Sequence, residues 1–132
     1  MISDPSTKTI LVVDDDQDFR EQLKLPLTAA GFNVVEAPGQ AEAEQILQTL
    51  RPDLAILDLM MENMDAGFVL GYHIKKKDPT IPVIMITAVT SETGLEFESG
   101  RTGPSWIKAD AILAKPIRFE QLRREIARLL KD

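Results

Sequence analysis

The chain lacks cysteine and has no apolar run long enough to cross a membrane. None of its 132 residues is Cys, which excludes disulfides, thiolate catalysis and cysteine-based zinc sites. No apolar run approaches the roughly 20 residues that a membrane-spanning helix needs, and residues 1 to 8 have no apolar signal core. These absences fit a reducing compartment, and we expect a cytoplasmic protein without membrane contact.

Basic residues and histidine are also scarce. Lys and Arg number 15 against 21 Asp and Glu, giving a net charge of −6, so direct binding to nucleic acid is disfavoured. The single histidine, His73, stands before three lysines on a predicted helix, and we interpret it as a solvated surface residue. The apolar content of 44% is typical of a globular protein, and the length fits one domain.

Short apolar runs alternate with helical patterns along the chain. Strands are predicted at residues 10–13, 32–36, 54–57, 83–86 and 111–114, because runs rich in Val, Ile and Leu are typical of buried parallel strands. Helices are predicted at about residues 18–31, 40–50, 67–77 and 118–131, the first capped by Asp18 and containing Pro26. The pattern predicts an α/β domain over residues 9–132, preceded by a short polar arm at residues 1–8.

Polar residues follow four of the predicted strands. Asp14 and Asp15 follow the first strand, Asp58 the third, Thr87 the fourth and Lys115 the fifth. Parallel strands share one carboxyl-terminal edge, where open α/β sheets bind their ligands, so these side chains should meet. Carboxylates suit Mg²⁺, while a lysine and a hydroxyl suit phosphoryl oxygens. The sequence therefore predicts magnesium-assisted phosphoryl chemistry at this edge.

Four motifs at the strand ends resemble the receiver domain of bacterial two-component response regulators. They are ILVVDDDQDFR, PDLAILDLMMENMDAGFVL, IPVIMITA and AILAKP, and the resemblance covers about residues 9 to 130. It implies a flavodoxin-like fold, with a five-stranded parallel sheet in the order 2-1-3-4-5 and helices on both faces.

The resemblance also implies a signalling role. Asp58 would accept a phosphoryl group from a phosphohistidine on a sensor histidine kinase or phosphotransfer protein, and Thr87 and Lys115 would hold the phosphoryl oxygens. The domain would then act on a downstream protein partner as a switch or relay, and it would not be an enzyme in its own right.

A magnesium site is part of the same resemblance. It implies that Mg²⁺ is bound directly by the Asp15 and Asp58 carboxylates and the main-chain carbonyl of Met60, while Asp14 acts through coordinated water. Asp16 is left outside this metal shell, because a polar cap on the following helix explains it equally well.

Two other functions remain open from the sequence. The Asp14-x-Asp16 spacing, with Thr87 ending a strand and a lysine following, also fits a phosphatase resembling the haloacid dehalogenase superfamily. That superfamily needs a further acidic pair after its lysine. A phosphatase interpretation also leaves Asp58 without a role. A receiver-like module that only binds protein is the third candidate, ranked lower because every pocket residue is present.

Residues 89 to 110 are the least regular stretch of the chain. Several glycines and Pro104 interrupt it, so at most one short helix is predicted there. Receiver domains usually have an aromatic residue at the position of Ile112. Because this chain lacks that ring, we hypothesise a different structural response to phosphorylation. Phosphorylation would move Thr87 and reorder this stretch around Trp106.

Overall fold

Five short apolar segments form one parallel sheet in the computed structural model, which describes residues 8–58, 66–87, 109–115 and 117–130. The strands are β1 (Thr9–Val13), β2 (Asn33–Ala37), β3 (Leu54–Asp58), β4 (Val83–Thr87) and β5 (Ala111–Ala114). Their order is β2-β1-β3-β4-β5, and every neighbouring pair is parallel. The expected sheet and its strand order are confirmed, and β3 lies at the centre.

Helices cover both faces of the sheet. Those of the described residues are α1 (Gln17–Ala29), α2 (Gln40–Thr49), α3 (Ala66–Lys77) and α4 (Phe119–Leu130). Because side chains alternate along a strand, β1, β3 and β4 each contribute to two apolar clusters. One cluster contains Leu47 of α2 and Ile74 of α3, and the other contains Leu23 of α1 and Ile126 of α4. Within these ranges, no helix has the length and apolar content to cross a membrane.

Helix α1 begins and ends at well-defined caps. The prediction that Asp18 caps it is wrong: Asp16 is the N-cap, and its carboxylate accepts hydrogen bonds from the amides of Asp18 and Phe19. The helix continues through Pro26 to Ala29. At its end Gly31 has a φ of 103°, and the amides of Gly31 and Phe32 donate to Thr28 and Leu27 carbonyls. This is a Schellman cap, which favours glycine.

Most other element boundaries differ from the sequence prediction by only one or two residues. Strand β2, for example, is Asn33–Ala37 where residues 32–36 were expected. The predictions for residues 1–7 of the arm, and for residues 89–108 with Trp106, lie outside the described residues. Alternation of burial along β3 and β4 is absent, since all five residues of each strand are buried, as expected for central strands covered on both faces.

An exposed ion pair connects the end of α2 to the end of α3. Arg51 Nε lies 2.6 Å from Asp78 Oδ2, and the Thr80 hydroxyl donates to Asp78 Oδ1 over 2.6 Å. The hydrogen bond from Thr80 is the largest cause that lowers the pKa of Asp78, followed by that from Arg51, and together they hold it at about 2. The ionised carboxylate is therefore favoured by folding.

We expect Asp78→Asn to lower the free energy of unfolding at neutral pH, with the deficit shrinking in acid. Because the folded-state pKa lies below the ordinary 3.8, this contribution is complete above pH 3.8. It is lost as the pH falls toward about 2. Urea unfolding of both proteins at several pH values measures it. A deficit that stays constant from neutral pH into this window would contradict the assignment.

Candidate functional site

Three carboxylates meet at the carboxyl end of the two central neighbouring strands. Asp14 and Asp15 directly follow β1, and Asp58 is the last residue of β3. Strand β1 pairs with β3 in a register that places Val13 opposite Leu57, which brings the next residue of each strand together. One oxygen from each carboxylate lies within 4.8 Å of the others. The structure therefore gathers the three acids that the sequence placed at this edge.

Asp14 is the most buried of these acids, with 1% of its surface exposed. Its Oδ1 accepts a hydrogen bond of 2.9 Å from the Asp16 amide. Its Oδ2 lies 3.2 Å from Lys115 Nζ, but no described group donates a well-directed hydrogen bond to it. Burial raises the pKa of Asp14; the Asp58 charge also raises it, and the Asp16 amide and Lys115 only partly oppose them. The single ammonium group of Lys115 thus faces a cluster of three carboxylates.

This electrostatic environment fits a bound divalent cation. A cluster of three carboxylates is a hard-oxygen donor set, which Mg²⁺ prefers. A dication near the three acids would offset the negative charge of Asp58, which adds to burial in raising the pKa of Asp14. Met60, whose main-chain carbonyl was expected to be a further ligand, lies outside the described residues.

Lys115 closes the pocket from the end of β5. Its amide donates to the Thr87 carbonyl over 2.8 Å, which continues the β4–β5 pairing to the sheet edge. Its Nζ lies 3.2 Å from Asp14 Oδ2 and 3.8 Å from Asp58 Oδ2. The ammonium group therefore lies between two of the three acids, and a quarter of the side chain is exposed. It is the cation that the sequence placed at this edge.

Thr87 and Asp16 complete the set of residues singled out in the sequence. Thr87 is the last residue of β4 and is buried, so it lies at the same edge as Asp58. Asp16 instead caps α1, accepting from the Asp18 amide over 3.0 Å. The capping role accounts for the carboxylate of Asp16.

Arg20 is a contributor to the site that the sequence analysis missed. Its Nη1 donates to the Asp14 carbonyl over 2.6 Å, and its Nε donates to Glu36 Oε1 over 3.1 Å. Lys24 reaches the other oxygen of Glu36 at 3.3 Å. Arg20 thus holds the peptide between Asp14 and Asp15 against β2. Its place one turn after the acids in ILVVDDDQDFR was the available signal, but the contact needs the fold.

We expect Arg20→Met to lower the free energy of unfolding by about 1.5–3 kcal/mol, the usual contribution of a hydrogen bond to a charged group. Arg20 is 13% exposed and half of the Lys24 side chain is exposed. The control Lys24→Met, which loses only the exposed pair to Glu36, should therefore cost at most about 1 kcal/mol. Urea unfolding compares them, and equal losses would show that the Asp14 carbonyl contact contributes little.

Comparison with known sequences connects this arrangement to a single family. The profile of the response regulator receiver domain matches residues 10–127. The chain is 32% identical over 130 residues to the phosphate regulon transcriptional regulatory protein PhoB of Pseudomonas aeruginosa, covering 94% of this chain and 52% of PhoB. It is 35% identical over 128 residues to the probable transcriptional regulator ycf27 of Cyanophora paradoxa, covering 94% and 48%. The chain spans about half the length of these curated relatives.

Solved structures give the same result for the fold. The response regulator protein TrrA of Thermotoga maritima, solved in complex with Mg²⁺ and BeF, is 30% identical with a TM-score of 0.77, over 93% of this chain and 99% of TrrA. A CheY-like receiver domain protein of Methanospirillum hungatei is 26% identical with a TM-score of 0.79, over 96% of this chain and 95% of that one. Both similarities extend over nearly the whole chain.

Proposed function

Because the chain belongs to the response regulator receiver domain family, we propose that it is a phosphoacceptor of a two-component system, with Asp58 as the acceptor. The observation that carries the proposal is the position of Asp58. It ends the central strand with 4% of its surface exposed, and Asp14, Asp15 and Lys115 surround it. We assign this function to the domain at residues 9–132.

The chemistry requires little beyond positioning and charge. A carboxylate oxygen of Asp58 forms a bond to phosphorus while the bond from phosphorus to the donor's imidazole nitrogen breaks, and its electron pair stays on that nitrogen. Lys115, 3.8 Å from Asp58 Oδ2, offers an ammonium group to the phosphoryl oxygens that gather charge. The hydroxyl of Thr87 is the second proposed donor to these oxygens.

Magnesium is the proposed cofactor, since when bound it neutralises negative charge on the carboxylates and on the phosphoryl oxygens. Asp15 and Asp58 are its proposed direct ligands together with the Met60 carbonyl, and Asp14 is proposed to act through water. Arg20 keeps the Asp14–Asp15 peptide in place through the Asp14 carbonyl. The chain itself thus contributes acids whose positions are already fixed by the fold.

The proposed role is signalling. A sensor histidine kinase or a phosphotransfer protein would supply the phosphoryl group, and a downstream protein would respond to it as a switch or relay, in the cytoplasm. The only reactions proposed for the domain are its own phosphorylation and dephosphorylation. Curated relatives include proteins described as DNA-binding, but this chain spans about half of their length, and we do not assign DNA binding to these residues.

Phosphatase activity is the rival that the sequence left open. A haloacid-dehalogenase-like mechanism needs the carboxylate of Asp16 at the reaction centre, whereas this carboxylate accepts hydrogen bonds from the amides of Asp18 and Phe19 at the start of α1. It also gives no task to Asp58, which is buried beside Lys115. Both observations favour the phosphoacceptor over the phosphatase.

Intact-mass measurement tests the proposal directly. The protein is incubated with acetyl phosphate and Mg²⁺, and inorganic phosphate release from p-nitrophenyl phosphate is measured in parallel. We expect one added phosphoryl group and no sustained turnover of the ester. Sustained turnover would favour the phosphatase, and a chain that neither takes the label nor turns over would favour the module that only binds protein.

A further inference from the structure

The ammonium group of Lys115 has an aromatic neighbour besides the two acids. Its Nζ lies 4.3 Å from the centroid of the Phe19 ring, well within the range of a cation–π contact. Phe19 lies in the first turn of α1, where its amide donates to the capping carboxylate of Asp16. Its ring packs against the apolar cluster between the sheet and α1 and α4. The main chain of Phe19 is therefore held by the cap and its side chain by the apolar cluster.

Asp14, Asp58 and Phe19, three neighbours of the ammonium group, differ in charge. Asp14 and Asp58 attract Lys115 through carboxylate oxygens at 3.2 and 3.8 Å. The same two carboxylates belong to the cluster that suits a divalent cation. A dication near them weakens their hold on the lysine, because it neutralises the acids and repels the ammonium group. The face of Phe19 is neutral and supplies no metal ligand, so its attraction remains.

We propose that Phe19 is a positioning residue that keeps the Lys115 ammonium group over the pocket when metal occupies the acids. The lysine is then in place when phosphoryl oxygens arrive, and its side chain need not be reordered from solvent. This inference rests on the proposed function, since it assigns Phe19 a task in the same site. It also gives the aromatic face of Phe19 a role that an aliphatic side chain could not fill.

Three variants separate the ring's electrostatic effect from its packing. Phe19→Leu keeps an apolar side chain but removes the aromatic face, and Phe19→Tyr keeps the face. Phe32→Leu is the matched control, since Phe32 is also partly buried against the same cluster and precedes β2 at the opposite end of that strand from the acids. Urea unfolding of all three measures the packing loss separately.

The first measurement is the NMR shift of the Lys115 ε-methylene protons, with and without saturating Mg²⁺. In wild type the ring current of Phe19 should move these protons upfield in both conditions. Phe19→Leu should lose this displacement, whereas Phe19→Tyr and Phe32→Leu should keep it. A displacement that disappears from wild type on adding Mg²⁺ would overturn the proposal, because the lysine would then have left the ring.

The second measurement is the affinity for beryllofluoride, a phosphoryl mimic, in saturating Mg²⁺. Phe19→Leu should bind it about two- to fivefold more weakly, as expected for a partly exposed cation–π contact, while Phe19→Tyr and Phe32→Leu match wild type. Wild-type affinity in Phe19→Leu would overturn the role of Phe19 alone. Failure of wild type itself to bind beryllofluoride or to take the acetyl phosphate label would instead overturn the proposed function, and this inference with it.

Discussion

Asp58→Asn is expected to abolish the covalent phosphoryl label, with a rate of labelling at least about a hundredfold below wild type. The amide lacks the negative oxygen that attacks phosphorus, and no other carboxylate lies at the end of the central strand β3. The change is nearly isosteric at a side chain with 4% exposure. It leaves Lys115 paired with Asp14 at 3.2 Å, so the fold should be retained. Intact mass after incubation with acetyl phosphate and Mg²⁺ measures the label.

Asp18→Asn is the matched control for this experiment. Asp18 is exposed and lies in the first turn of α1, near the same edge of the sheet. The contact it makes to the Asp16 cap comes from its main-chain amide, which the substitution keeps. Its labelling rate should stay within about twofold of wild type, as expected for a surface change that leaves the cap intact. Labelling of Asp58→Asn at the wild-type rate would falsify Asp58 as the acceptor.

The fold was predictable from the sequence because the spacing of apolar residues differs between its strands and its helices. The β3 segment is continuously apolar up to Asp58, and all five of its residues are buried, which is the pattern of a strand covered on both faces. Helix α4 shows the contrasting helical spacing, with Leu122 and Ile126 buried on one side. The strand order itself came from the family resemblance, since alternating elements do not specify which strands are neighbours.

The composition of the pocket was also predictable, because the strand ends of a parallel sheet share one edge. The apolar runs that precede Asp14, Asp58 and Lys115 placed them at this edge. In the structure a carboxylate oxygen of each acid lies within 3.8 Å of Lys115 Nζ. The choice of helix cap was not predictable, because Asp16 and Asp18 both suit the first turn. Only the backbone path after β1 decides that the carboxylate of Asp16 receives the amides.

The contacts of Arg20 and Phe19 could not be predicted from the sequence, for a different reason. Arg20 and Phe19 are next to each other in α1, yet one reaches the Asp14 carbonyl and Glu36 and the other lies beneath Lys115. The contacts to Glu36 and Lys115 join segments that are distant along the chain. A periodic pattern assigns Phe19 to the core face, which is correct, but it contains no information on what the exposed part of that ring touches.

The second large effect expected is the loss of phosphorylation when divalent cations are removed. Without a dication, the donor's phosphoryl group must approach three carboxylates whose oxygens lie within 4.8 Å of one another, and Lys115 lies 3.2 and 3.8 Å from two of them. Like-charge repulsion of this kind opposes the transfer step. A chelator should therefore reduce labelling by acetyl phosphate to background, and Mg²⁺ or Mn²⁺ should restore it. Unchanged labelling in the chelator would rule out the magnesium site.

Three substitutions should rank the acids by their contribution to metal binding. Asp15→Asn removes a proposed direct ligand and should weaken Mg²⁺ binding by about 10- to 100-fold, or about 1.4–2.8 kcal/mol. Asp14→Asn should weaken it less, because Asp14 Oδ1 is already used by the Asp16 amide and Oδ2 faces Lys115. Asp16→Asn is the control, since asparagine caps a helix as well as aspartate does and its side chain serves the amides of Asp18 and Phe19.

The thermal stabilisation of each variant by Mg²⁺ measures this ranking without requiring phosphorylation. A ligand present at 100 times its dissociation constant stabilises the folded state by about 2.7 kcal/mol. At a Mg²⁺ concentration that does this for wild type and Asp16→Asn, about 1.3–2.3 kcal/mol of the increment should be lost in Asp15→Asn. Asp14→Asn should retain an intermediate share. A reversed order of Asp14 and Asp15 would exchange their proposed roles. A loss confined to Asp16→Asn would move the metal toward the Asp14-x-Asp16 pair and revive the phosphatase, since only that mechanism needs the Asp16 carboxylate at the reaction centre.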